Sequence, residues 1–94
     1  MNKLHFVKEV TYISDYMLLL TFNDEITKIV DLKPYLKGNI FEPLKNKDYF
    51  KTVKVNSDID TIVWENGADI SPDFLYEIGE TVSETTFVEK TALI

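Results

Sequence analysis

The sequence predicts a small α+β domain, a mostly antiparallel sheet of about five strands with short helices, the last of them near residues 72–78. Three observations predict it. Residues 4–31 alternate β-rich runs with polar turns, an Asn-Gly pair follows the single tryptophan, and Ser71-Pro72-Asp73 opens an apolar-spaced segment that stops at Gly79. A chain of 94 residues has apolar surface for one core. With 45% apolar and 13% aromatic residues it is too hydrophobic to stay disordered. Residues 1–79 are read as that domain. Residues 80–94 form a C-terminal extension, either an extra strand or a tail.

Taken in order, residues 4–13 mix β-branched and aromatic residues with charges, and Ser14-Asp15 turns the chain into Tyr16–Phe22. Asn23-Asp24 is a second turn and Glu25–Asp31 a third strand, which makes a meander. Asp31 before Leu32-Lys33-Pro34-Tyr35-Leu36, with Gly38 after, brackets one or two helical turns. Residues 46–53 place Tyr49, Phe50 and Val53 at helical spacing. Val53–Val55 and Thr61–Trp64 then read as two strands around a polar turn.

Asn66-Gly67 supplies the left-handed backbone that turns the chain after Trp64, which is read as core. Ser71 is placed at the N-cap of the last helix, with Pro72 at its first position and Asp73 at the positive end of the dipole. Leu75 and Ile78, with Phe74 beside them, are expected to form the buried stripe. Asp69 is left with two readings: a turn cap bonding the backbone two residues on, or a surface contact residue.

Composition excludes several chemistries. The chain has no cysteine, so disulfides and thiolate metal sites are out. It has no arginine, hence no planar fork for phosphate or guanine, and direct binding of nucleic acid is not expected. The single histidine, His5, has no nearby residue in sequence to orient it as a catalytic base. Asn56, Asp58 and Asp60 imitate a calcium loop, but Thr61 stands where glycine is needed and Gly67 where the bidentate glutamate belongs. No cofactor and no metal are expected, and an enzyme is the weaker reading. The start of the chain does not read as a signal peptide. No apolar run approaches the length of a membrane span, so a cytoplasmic protein without membrane contact is expected. The net charge of −6 is concentrated in residues 48–94, which hold ten acids against three lysines. It reads as a solvated face or as a docking face for a basic partner.

Trp64-Glu-Asn-Gly-Ala-Asp-Ile-Ser-Pro-Asp-Phe-Leu-Tyr76 resembles the signature of a small bacterial family, domain of unknown function 2442. That signature runs Trp-Pro-Asn-Gly-Ala-Asp, then Ile or Leu, any residue, Pro, an acid, any residue, Leu and Tyr. The resemblance continues upstream through Leu19–Phe22, Val30–Leu32, Leu36–Gly38, Phe41–Leu44, Phe50 and Val53–Val55. The chain departs at Glu65, where the family usually has proline, and at Glu25, where it often has glycine. The resemblance implies a compact α+β domain without an established activity. Some relatives look like fusions to a helix-turn-helix domain, others like small proteins encoded beside another short protein, as toxin–antitoxin pairs are. Residues 79–94 are too few for a helix-turn-helix, so the partner or sensor half is expected here.

Two functions follow from this. One is a non-enzymatic protein-interaction or regulatory module, antitoxin-like, whose partner is another protein; a homodimer is also compatible with the sequence. The alternative is a small-ligand sensor or enzyme using Asp69 and neighbouring polar residues. The candidate binding residues are Trp64, Asn66, Gly67, Asp69, Pro72 and Tyr76.

Overall fold

A computed structural model describes residues 5–82, so most of the C-terminal extension, from 83 to 94, lies outside the described residues. The meander forms as its turns dictate. β1 (Val7–Ser14), β2 (Met17–Phe22) and β3 (Thr27–Asp31) pair antiparallel in sequence order. Period-2 alternation puts Leu18, Leu20, Phe22 and Val30 on one buried face and leaves Met17, Leu19 and Ile29 half-buried on the other. Register shifts interrupt β1 between Val7 and Glu9 and between Tyr12 and Ser14, which twists this edge strand. In the β2–β3 turn Asp24 Oδ1 accepts from the Ile26 amide, while Glu25 takes a φ of 69°. That left-handed backbone is the one glycine adopts without strain, so the departure at Glu25 leaves the turn's shape in place.

After β3 the chain leaves the sheet through two 3-10 segments, Lys33–Tyr35 and Asn39–Lys45. Pro43 lacks the amide that an α-helical ladder needs inside the second segment, while Pro34 sits in the first turn of the first, where its missing amide costs nothing. The Asp31 carboxylate starts the first by accepting from the Lys33 amide, as its position in the sequence suggests. α1 (Lys47–Phe50) is one turn long, and the Asn46 side chain accepts from the Asp48 and Tyr49 amides.

Among the described residues β4 (Lys54–Asn56) and β5 (Thr61–Val63) pair with each other as a separate two-stranded sheet. The expected sheet of five strands is therefore divided into two sheets. The long 3-10 excursion carries the chain off the edge of the meander, and each new strand is only three residues long. α2 (Pro72–Ile78) follows, and β6 (Glu80–Thr81) adds to β3, giving the larger sheet the order β1-β2-β3-β6.

Of the expectations about α2, the N-cap position of Ser71 and Pro72 at the first helical position hold, and the burial of Phe74 is corrected. Ser71 occupies the N-cap position, but its side chain makes no capping hydrogen bond; the start is set by Pro72, whose fixed φ suits a first helical residue. Phe74 is not buried: it is 37% exposed. In so short a helix Phe74 points about 100° away from its neighbour Leu75, off the stripe that Pro72 and Leu75 bury. Ile78 packs against the core as expected, half-buried.

The core is continuous across both sheets. Leu18, Leu20, Phe22, Val30 and Leu32 meet Leu44, Phe50, Ile62, Trp64 and Leu75. Trp64 is 2% exposed, and its Nε1 donates to the Phe50 carbonyl at 2.8 Å. The turn after it closes with Gly67 at a φ of 91° and open space around its α-carbon. Replacing Gly67 by valine is expected to cost about 1–2 kcal/mol from backbone strain alone. Urea unfolding of the variant checks this, and an unchanged midpoint would mean the turn tolerates a β-branched residue.

Candidate functional site

The signature residues divide by what their side chains touch. Trp64 and Ala68 are core, and Pro72 is buried at the start of α2. Asn66 is a clip: its Oδ1 accepts from the Ala68 amide at 3.1 Å, its Nδ2 donates to the Ile40 carbonyl at 2.8 Å, and its own amide donates to the Tyr49 hydroxyl at 2.8 Å. The turn is thereby tied to the second 3-10 segment and to α1. The side-chain bond two residues on, which the sequence reading offered to Asp69, belongs instead to Asn66.

Asp69 is exposed, and among the described residues its carboxylate makes no hydrogen bond and no ion pair. Its backbone is held by a bridge to Val63, so the side chain is presented from a fixed position. It stands at the edge of an open groove of about 630 Å³ between the first 3-10 segment and the start of α2. The walls are Pro34, Tyr35, Phe41, Ile70 and Phe74. Tyr35 and Phe74 meet edge to face with centroids 5.2 Å apart, and they are 42% and 37% exposed. Lys37 completes the rim; its ammonium, like the carboxylate of Asp69, has no partner among the described residues.

A second constellation escaped the sequence reading. His5 is oriented after all, by a residue 68 positions away: its Nδ1 lies 2.9 Å from the Asp73 carboxylate. Its ring stacks on Tyr76 with centroids 3.5 Å apart. The imidazole fills one face of the phenol, so the Lys28 ammonium, 3.8 Å from the ring centre, takes the other. The same Nζ donates to the Tyr76 carbonyl near the C-terminal end of α2. The Tyr76 hydroxyl donates to Asp24 at 2.8 Å. This cluster therefore locks α2 to the β2–β3 hairpin and to the residues before β1. Only the oppositely charged residues at suitable distances in sequence could have hinted at it, and no local pattern does.

Charge follows these contacts. Burial works against the ionised Asp24, but the Ile26 amide, the Tyr76 hydroxyl and the nearby His5 outweigh it and hold the carboxyl below the usual range. The Tyr76 hydroxyl is pushed up by that same hydrogen bond, with burial and the carboxylate charge adding. On the opposite side, the Lys47 ammonium bonds Asp15 at 2.9 Å and holds that carboxyl down, tying α1 to the β1–β2 turn. No group of three or more His, Asp or Glu among the described residues is arranged to hold a metal ion, and Asn56 of the calcium-loop imitation simply accepts from the Asp58 amide. No described helix is long and apolar enough to cross a membrane.

A compact α+β domain whose signature turn is clipped into its own core is the class of structure that these contacts define. The chain belongs to the family described as Protein of unknown function (DUF2442), whose profile matches residues 7–81. No curated protein and no solved structure is found to match it.

Two outcomes are expected. Asp69→Ala should leave stability within about 0.5 kcal/mol of the wild type, as for a surface residue without partners; a larger loss in denaturant titration would restore the capping role. Tyr76→Phe should be less stable than the wild type in the neutral range, and the difference should shrink at both ends of the pH scale. Asp24 is depressed, so its contribution is lost as acid protonates it, below about pH 4; Tyr76 is raised, so its contribution is lost as alkali ionises it, above about pH 10. Thermal melts of both proteins across pH check this, and a difference independent of pH would remove the bond from the account.

Proposed function

We propose that this chain is a non-enzymatic protein-interaction module whose contact face is the groove lined by Tyr35 and Phe74. The observation that carries the reading is Asp69. Each of the other signature side chains named above has a structural task, in the core or in a hydrogen bond, whereas the Asp69 carboxylate is held at the groove's edge with none. A charge fixed beside exposed aromatic rings suits recognition, because the rings supply apolar area at little entropic cost and the charge sets orientation. An antitoxin-like pairing with an adjacently encoded protein is the form of this reading in which the bound polypeptide is a different chain. Asp69 equally carries the alternative, a small-ligand sensor, and one experiment separates the two. A tagged copy is expressed beside the untagged chain in the cell it comes from and isolated under native conditions for mass spectrometry. The expected result is a retained polypeptide, either the untagged chain or another protein, that is released from a Phe74→Asp variant. A bound small molecule with no polypeptide would overturn the interaction reading in favour of the sensor.

A further inference from the structure

We infer that the groove lined by Tyr35, Phe41, Ile70 and Phe74 is filled by a second copy of this chain, the two copies related by a two-fold axis through the groove. The inference rests on the reading of that groove as a contact face and names its partner. The argument is one of charge. The rim carries one acid and one base, Asp69 and Lys37, exposed and without partners among the described residues. Lys45, Lys47 and Lys51 are each paired with an acid of their own chain, Glu42, Asp15 and Asp48, whereas the acid and the base that line this one groove are not paired among the described residues. A rim with one charge of each sign matches neither a purely basic nor a purely acidic partner. It does match itself, because a two-fold axis brings residue i of one copy against residue j of the other and j against i, so that both Asp69–Lys37 pairs form together. The apolar requirement is self-complementary in the same way. Tyr35 and Phe74 are the exposed apolar residues of the groove and Phe41 and Ile70 its half-buried ones, so each copy offers apolar surface to the other. The net charge of −6 opposes self-association, and opposite charges matched locally on this rim would offset that repulsion.

Sedimentation velocity across a concentration series tests the inference on the full chain, with circular dichroism confirming that each variant is folded. The wild type is expected to dimerise. Asp69→Lys and Lys37→Glu, each alone, should weaken the dimer roughly tenfold or more, since each puts like charges face to face twice over a two-fold axis. The double variant, with the charges exchanged, should recover most of that loss, and Phe74→Asp should be monomeric. A wild type monomeric throughout the series overturns the inference, and so does a dimer that the single reversals leave intact or that the double variant fails to restore. A monomeric wild type that still retains a different protein through Phe74 would refute the second copy while leaving the contact face itself standing. If Phe74→Asp does not fold, the charge exchange decides alone.

Discussion

The ring of Phe50 is where the two sheets become one body. It is fully buried and meets Tyr12 and Tyr16 of the first hairpin edge-on, at 6.0 and 5.3 Å, and Trp64, the residue that follows β5, at 5.6 Å. Its carbonyl takes the indole proton as well. The three-residue strands β4 and β5 could not hold a position by their own hydrogen bonds, since an isolated pair of this length is marginal in water. Their place comes from this aromatic cluster. The Tyr16 hydroxyl then donates to the Lys45 carbonyl, which fastens the end of the second 3-10 segment to the same centre. The groove depends on it in turn, because Phe41 and Ile70, which line it, are packed against the core that Phe50 anchors.

Much of this was legible in the sequence, for a physical reason: turns and short helices are specified by neighbours. The carboxylate and amide side chains at Asp24, Asp31, Asn46 and Asn56 each bond the backbone two residues on, as their residue types advertise, and Gly67 has the positive φ that an Asn-Gly pair implies. The meander is equally local, since hairpins join adjacent strands. Division into two sheets was not legible. It depends on where the 3-10 excursion delivers the chain, which is a matter of packing rather than of propensity. Phe74 was misplaced because apolarity in a short helix does not distinguish the buried stripe from a residue one step round it. The His5–Asp73 contact joins positions at opposite ends of the domain, and no window along the chain contains both.

For the signature itself, the hydrogen bonds separate residues that a motif presents as equals. Trp64, Asn66, Gly67 and Pro72 build the turn and its seat; Tyr76 locks the helix that follows. The result is that Asp69 and the neighbouring start of α2 are held rigidly by residues that never reach the surface of the groove. Such rigidity is what a contact face requires, because a side chain already fixed in place loses little freedom when it binds.

Lys28 offers a consequence of another kind. Lysine side chains normally reach into solvent, yet Lys28 as a residue is 9% exposed, its ammonium on the Tyr76 ring and bonded to the last turn of α2, with its stem against Gly79. Acylating reagents need a free, deprotonated amine, and an enclosed, hydrogen-bonded ammonium gives them neither access nor a lone pair. Lys28 is therefore expected to be acylated more slowly than the exposed lysines, and fastest whenever α2 lifts away from β3. Its rate of modification is a built-in clock for that opening, readable against the freely accessible lysines of the same molecule.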